Sequence, residues 1–183
     1  MVVVDLEDTT VLADLEIPLR VRSDRIKSIR YGALELRLRS GLSLELPLKV
    51  AVPLLKEKIA EIDYSKLPSL QDLNKVRWKE ERTEELQPLD EGFYVRARLY
   101  LASLRDKDDY NTEVVFRRAK STLVDIITIR MKKIVRYALA SPQPQRELMS
   151  KMSHEERMFY IALCHLIDEW FTRMLAKLER GGI

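Results

Sequence analysis

The longest regular pattern of apolar residues in the chain lies between residues 111 and 140. This stretch contains neither Gly nor Pro, and its apolar residues recur at helical spacing. A helix of this length spans roughly 45 Å at 1.5 Å per residue, which is longer than a compact domain of this size is wide. Its main apolar stripe consists of Val115, Ala119, Leu123, Ile126, Ile127, Ile134, Tyr137 and Ala138.

A second set of apolar residues in this helix lies off the main stripe, at Val114, Ile129, Met131 and Val135. A lone amphipathic helix needs only one apolar face. We therefore predict that the helix is the axis of a helical domain, with one face packed on its own chain and the other on a second chain. A central helix buried on all sides of a monomeric bundle is the alternative.

The first third of the chain shows strand patterns. Residues 2–6 and 18–21 are short apolar or β-branched runs. Leucines alternate with charged or polar residues in 33–39 and again in 42–46, on both sides of a Gly-containing turn, which predicts a β-hairpin with one solvent-exposed face. Residues 48–62 then predict a helix interrupted at a proline. About sixty residues of this kind are marginally stable alone, so we expect this module to rest on another element.

Strand patterns disappear after the turn-rich stretch 63–69, which predicts an α+β protein with a β-rich domain at 1–62 and an α-helical domain at 63–183. The helical domain is predicted to contain a helix from Leu70 into the charged run ending at Arg82, and a helix capped by Asp90. The axis helix must stop at the prolines after Ala140. Residues 153–156 match a capping box, which opens a last helix that Gly181 is placed to end. Its predicted stripe is Tyr160, Cys164, Ile167, Phe171, Met174 and Leu178.

Composition adds limits rather than a function. Of the 183 residues 46% are hydrophobic, so a sizeable core is available, and a net charge of +3 does not by itself indicate a nucleic-acid partner. The single cysteine, Cys164, has no partner for an internal disulfide, which favours a reducing compartment. No run of about eighteen apolar residues exists to cross a bilayer, and the N-terminus is too acidic for a signal peptide. We expect a cytoplasmic protein.

No local motif for catalysis or cofactor binding is present. His154 and His165 would lie about 16 Å apart on one helix, too far to share a metal ion. Cys164 and His165 are neighbours that point about 100° apart on a helix, so a nucleophile and base pair is disfavoured. The phosphate-loop, dinucleotide-binding and nucleophile-elbow motifs are all missing. We predict no enzyme activity and no cofactor.

Charge on the axis helix offers a second interpretation. Its basic residues outnumber its acidic ones, and a basic helix face can bind phosphates. The same basic residues could equally contact an acidic partner surface or keep the helix soluble. Arg130 differs because it lies on the apolar stripe, where an unpaired charge is expensive. We predict that Arg130 contacts Asp168 or Glu169 on the last helix. The basic residues are Arg117, Arg118, Lys120, Arg130, Lys132, Lys133 and Arg136.

Four segments in order resemble the GINS family of replication proteins: LELPLKVA at 44–51, LNKVRWKEER at 73–82, LQPLDEGFY at 86–94 and IRMKKI at 129–134. The resemblance covers nearly the whole chain, with the small β domain first, as in one of the two archaeal GINS proteins. Lys49 stands where the family usually has Trp.

The resemblance implies a non-catalytic subunit that scaffolds a complex at the replication fork. Its implied partners are a second GINS subunit type in a two-plus-two tetramer, the MCM helicase and a RecJ-like factor, with primase or polymerase in some lineages. A basic helical protein that binds DNA directly is the alternative, which forecasts a monomer whose DNA affinity falls steeply with salt. The residues predicted at subunit interfaces are Trp78, Phe93, Tyr94, Arg130, Lys133, Ile134, Tyr137 and Trp170.

Overall fold

The computed structural model describes residues 13–24, 28–31, 34–105 and 109–179. The predicted strand at 2–6 and the helix end at Gly181 lie outside these residues. The five strands are β1 (Glu16–Val21), β2 (Ser28–Tyr31), β3 (Leu34–Arg37), β4 (Ser43–Pro47) and β5 (Ala60–Ile62). The helices are α1 (Leu48–Lys56), α2 (Leu70–Glu81), α3 (Phe93–Arg105), α4 (Tyr110–Ala140), α5 (Arg146–Met149) and α6 (His154–Glu179), and Tyr64–Lys66 forms a 3₁₀ turn. The α+β class is confirmed.

The strands form two small antiparallel sheets. β1 lies between β4 and β5 in a three-stranded sheet, with Leu19 opposite both Leu44 and Ile62. The second sheet pairs β2 with β3, from Ser28 opposite Arg37 to Tyr31 opposite Leu34. Ile17, Leu19 and Val21 of β1 are buried, as period-two patterning requires when one face packs on a core, and Pro18 between them is buried as well.

The predicted hairpin between 33–39 and 42–46 is wrong, although both segments contain a strand. The intervening turn pairs with β1: the Gly41 amide donates to the Val21 carbonyl at 2.8 Å, and the Val21 amide donates to the Leu42 carbonyl at 2.8 Å. Gly41 adopts a positive φ of 85°, which glycine tolerates without strain. Alternation shows which side chains face a core, but it does not specify the partner strand.

Helix α1 also differs from its prediction, which ran to residue 62. It continues through Pro53, in its second turn, at the cost of one intrahelical hydrogen bond. It ends at Lys56, and Lys58 then takes a positive φ of 56° while the Ile59 amide donates to the Leu54 carbonyl at 2.9 Å. The chain reverses there, so residues 60–62 pair with β1 as a strand.

The chain divides into two compact units, Met1–Ser69 with Tyr94–Phe116, and Leu70–Phe93 with Arg117–Ile183. In the first unit, β1, β4, α1 and β5 bury a core that also takes in Val95 and Leu99 of α3. The β-rich module therefore does rest on a helical element. The predicted domain division at residue 62 stays a prediction.

The second unit buries a smaller apolar cluster, where the predicted stripes of α4 and α6 meet. Ile134 and Ala138 of α4 pack with Tyr160 and Cys164 of α6, and Met152 closes the cluster. Helix α4 begins one residue before the predicted axis helix and ends at the predicted Ala140. The predicted helix at 70–82 and the helix predicted to follow Asp90 are likewise confirmed within a few residues.

Candidate functional site

A network of buried charges joins three segments of the second unit. Arg130 of α4 is fully buried, and its Nε and Nη2 donate to the two carboxylate oxygens of Glu156 at 2.7 and 2.8 Å. Its Nη1 donates to Glu80 of α2 and to the Gln87 carbonyl, the latter at 2.8 Å. The Nε and Nη2 groups of Arg130 thus form a bidentate pair with Glu156, and its Nη1 group binds Glu80 and Gln87.

Lys133 extends this network by one turn of α4. Its ammonium donates to the Glu80 carboxylate, to the Glu80 carbonyl at 2.8 Å and to the Glu85 carbonyl at 2.9 Å. Two buried cations therefore face two buried carboxylates, so the network is balanced in charge. Its chemical effect is to hold α2, α4 and the start of α6 together.

The predicted contact of Arg130 with Asp168 or Glu169 is wrong, although Arg130 is buried and paired as expected. Asp168 is exposed, and Glu169 pairs instead with Arg173 on its own helix. The partner on α6 is Glu156, in the first turn. The prediction considered only residues near the apolar stripe of α6, whereas the carboxylate that binds Arg130 belongs to the capping box at the start of the helix.

Glu156 has a second role as part of the predicted capping box, which is confirmed. The Glu156 amide donates to the Ser153 hydroxyl at 3.3 Å, and the Ser153 amide donates to the Glu156 carboxylate at 3.1 Å. These reciprocal bonds satisfy amides at the start of α6. The same carboxylate therefore closes the helix end and holds Arg130.

Helix α4 leaves an apolar row exposed. Val124, Ile127 and Met131 are exposed and recur at helical spacing, with half-buried Val135 and exposed Leu139 continuing the row. This row partly differs from the predicted second face, because Ile127 had been placed on the buried stripe. Of the predicted second face, Met131 is exposed and Val114, Ile129 and Val135 are half-buried, so the exposed apolar row of α4 consists largely of other residues.

The second half of α6 is more exposed still. Its stripe is covered at Tyr160 and Cys164 but open from Phe171 onward. The rings of Trp170 and Phe171 pack edge to face with centroids 5.4 Å apart. A contiguous apolar surface of this kind marks an interaction site in a soluble protein. Its exposed members are Leu166, Trp170, Phe171, Met174, Leu175 and Leu178, and we call them the α6 apolar surface.

The eight residues predicted at interfaces fall into two groups. Trp78 and Trp170 are more than half exposed, while Tyr94 and Tyr137 are half-buried. The other four are buried by their own chain, so they can only position exposed residues and cannot contact a partner directly. These four are Phe93, Arg130, Lys133 and Ile134. The interface role of the set stays a prediction. Sequence reasoning missed Leu166 and Leu175, although both continue helical spacing from Trp170 and Phe171.

Comparison with known families adds the deciding observation. The model of the GINS complex protein helical bundle domain matches residues 67–175, which is more than half of the chain. The chain belongs to the GINS family. It is therefore a subunit of a GINS replication complex, whose subunits are non-catalytic and assemble with other GINS subunits. Comparison with curated proteins finds no match.

The match places the notable features of this GINS subunit within the family's helical bundle. The buried charge network, the α4 row and most of the α6 apolar surface all lie inside residues 67–175. The resemblance found in the motifs at 73–82, 86–94 and 129–134 is thus confirmed, and the network explains their pattern. Glu80 comes from the first of these motifs, the carbonyl of Gln87 from the second, and Arg130 and Lys133 from the third.

Potential metal ligands and a buried thiol are further candidate groups in the described part of this GINS subunit. No group of three potential metal ligands occurs in 13–24, 28–31, 34–105 and 109–179. Cys164 is fully buried, and burial raises the pKa of its thiol, so it is a poor nucleophile. Burial likewise raises the pKa of the neighbouring Tyr160 phenol. No helix in the described part of the chain is both long and apolar enough to span a bilayer.

Proposed function

We propose that this GINS subunit is a scaffold that links the MCM helicase to a RecJ-like factor at the replication fork, in a tetramer with two copies of a second subunit type. The family membership supports the replication complex, and the α6 apolar surface supports the scaffold role. Primase or polymerase is a further proposed partner, and the proposed location is the cytoplasmic, nucleoid-associated replisome of an archaeal cell.

The observation that carries the proposal is the α6 apolar surface. Its six large side chains include an exposed Trp and Phe in mutual contact, the residue types that dominate binding energy at protein interfaces. Covering such a surface contributes about 25 cal/mol for each Å² of apolar area removed from water. We propose that another GINS subunit covers this surface, and that the β-rich part of the first unit contributes further contacts with a subunit or the helicase.

The test is co-expression with the second subunit type, followed by size-exclusion chromatography with light scattering. Trp170→Glu places a charge within the α6 apolar surface and should reduce the tetramer to smaller species. Thr172→Glu is the matched control, because it adds the same charge to an exposed position on the polar side of α6. Equal assembly by both variants would refute the proposed surface.

A second arm tests the partners. The assembled complex should retain purified MCM helicase and the RecJ-like factor together in a pull-down, and the Trp170→Glu variant should lose this bridging along with the tetramer. A complex that assembles normally but binds neither protein would refute the linking role and leave the subunit assignment intact. Binding of only one factor would refute the bridge in the same way.

A further inference from the structure

Helix α6 is longer than the helix that it packs against. Arg130 of α4 binds Glu156 of α6, a separation of 26 residues, and later residues of both helices share one apolar cluster, so the two helices run in the same direction. The same separation places Ala140, the last residue of α4, level with Leu166. Residues 167–179 therefore continue past the end of α4 for roughly 20 Å at 1.5 Å per residue. We call this segment the α6 arm.

The α6 arm is not covered by the described part of its own chain. All of its residues are exposed except Ile167 and Ala176, which are half-buried. At the base of α6, by contrast, Tyr160 and Cys164 are fully buried in the cluster that they share with α4. The stripe of the arm continues from these two residues at helical spacing, so a second helix can lie on the arm where α4 lies on the base. The stripe residues of the arm are Ile167, Phe171, Met174 and Leu178.

This stripe matches a second copy of itself when two arms run antiparallel. Phe171 then lies opposite Met174 of the second copy, and Ile167 lies opposite Leu178, with each pairing made twice by symmetry. Because Ile167 is the first stripe residue past the end of α4, the overlap of the two arms fills the uncovered length of each.

A parallel pair of arms does not fit in the same way. The stripe of α6 faces α4 at the base, so two α4 helices would lie between the two α6 helices there. Helices in contact have axes about 8–10 Å apart, and two intervening helices would require about three times that separation. Antiparallel arms place the two bases at opposite ends and avoid this conflict.

Charged side chains flank the antiparallel pair without facing a like charge. Asp168 lies level with Leu175 of the second copy, and Lys177 lies level with Trp170 of the second copy. An ammonium packs favourably on an indole ring. The charges at the edges of the stripe are therefore compatible with a symmetric pair.

The exposed apolar area is also sufficient for such a pair. The six members of the α6 apolar surface are between 38% and 73% exposed. Each leaves on the order of 100 Å² open, so two copies present roughly 1,200 Å² of apolar surface. A biological interface should bury at least about 1,000 Å² in total.

We propose that the α6 arm pairs antiparallel with the α6 arm of a second copy of this chain. This deepens the proposed scaffold role, and it rests on the premise that another subunit covers the α6 apolar surface. The proposed two-plus-two tetramer contains two copies of this chain, and the paired arms join them across a two-fold axis. The second subunit type is the competing occupant.

Disulfide cross-linking in the assembled tetramer tests the register. Copies with Ile167→Cys and differently tagged copies with Leu178→Cys are co-expressed with the second subunit type, purified and oxidised. We expect a disulfide between position 167 of one copy and position 178 of the other, and none between two copies of either position. Glu169→Cys with Leu178→Cys is the matched control, because Glu169 lies on the opposite side of α6 and should not cross-link.

Self-association of the full chain alone tests the strength of the pair. Analytical ultracentrifugation should show a dimer at micromolar concentration. Phe171→Glu should weaken dimerisation about a hundred-fold or more, because it places a charge within the stripe. Thr172→Glu, on the outward side of the arm, should change it by less than about three-fold. Far-UV circular dichroism should show equal helix content in both variants, because both positions are exposed.

A monomeric chain, equal dimerisation by the two variants, or disulfides between two copies of position 167 would each overturn the proposal. So would an assembled tetramer in which positions 167 and 178 of different copies remain unlinked. If Trp170→Glu still disrupts that tetramer, the second subunit type covers the α6 apolar surface and the scaffold proposal stands. Failure of the arm pairing is thus distinguishable from failure of the scaffold role.

Discussion

Removing Arg130 tests the idea that buried charges hold the second unit together. Arg130→Met keeps a long unbranched side chain but removes the donors to Glu80, to Glu156 and to the carbonyls of Gln87 and Lys151. Glu80 keeps the ammonium of Lys133, so the larger loss falls on Glu156. Breaking a buried pair by removing one partner costs about 3–5 kcal/mol, because it leaves a charge buried without compensation.

This cost is a large part of the roughly 5–15 kcal/mol that stabilises a typical native protein. We therefore expect urea unfolding, followed by far-UV circular dichroism, to show a much lower midpoint for Arg130→Met. Arg173→Met is the matched control, because Arg173 is exposed and pairs with Glu169 one turn earlier on α6. An exposed pair of this kind is worth only about 0.3–0.5 kcal/mol.

A double-mutant cycle then separates charge from packing. Arg130→Met with Glu156→Gln removes both members of the pair, so its total loss should be at least about 1 kcal/mol smaller than the sum of the two single losses. If the losses simply add, or if Arg130→Met is no more destabilising than Arg173→Met, the network does not stabilise the unit in the way argued here.

Two further predictions concern single polar groups. The pKa of Asp63 is lowered from 3.8 to about 2, first by hydrogen bonds from the Ser43 and Ser65 hydroxyls and also by Arg20. Because the folded pKa is below the unfolded one, this carboxylate stabilises the protein above about pH 4. Up to about 2 kcal/mol of the free energy of unfolding is lost as the pH falls from 4 to 2. The urea midpoint, measured at several pH values, should show this loss in the unmodified protein and not in Asp63→Asn. Ser153→Ala removes the hydroxyl that accepts from the Glu156 amide, so we expect the free energy of unfolding to fall by about 0.5–2 kcal/mol. The same urea assay at neutral pH measures this loss, and a loss below about 0.3 kcal/mol would contradict the capping role.

The helices could be predicted well because their signals are local. The apolar period of α4, the capping box at residue 153 and the prolines after residue 140 each act within a turn or two of the chain. These signals specify where a helix begins and ends whatever it packs against.

Strand pairing and charge partners could not be predicted in the same way. The alternation in β3 and β4 identifies Leu36, Leu44 and Leu46 as at least half-buried side chains, but each strand pairs with one that the turn between them does not specify. Arg130 had to be paired because it lies on an apolar stripe, yet its carboxylates come from positions 50 and 26 residues away in sequence. Such choices depend on three-dimensional packing, which one sequence does not encode locally.

A small cleft between the first half of α2 and residues 118–122 of α4 shows a similar limit. Arg77 belongs to a charged run and Arg118 to a basic helix, and neither position stands out among similar neighbours. Only the packing of α2 on α4 brings them to one opening, where the Arg77 guanidinium donates to Asp125.

The structure also divides the basic residues of α4 in a way that bears on both functions. Arg130 and Lys133 are buried against carboxylates, and Arg136 pairs with Glu84. The excess positive charge counted along the sequence therefore does not form one phosphate-binding face, which weakens the interpretation of α4 as a DNA-binding rod. Arg117, Arg118 and Lys120 are exposed and lie within one turn of α4. Since electrostatic attraction between exposed charges decays over about 8 Å at physiological salt, this cluster can strengthen nucleic-acid binding only locally. Any such binding should therefore respond to Arg118 far more than to Arg136.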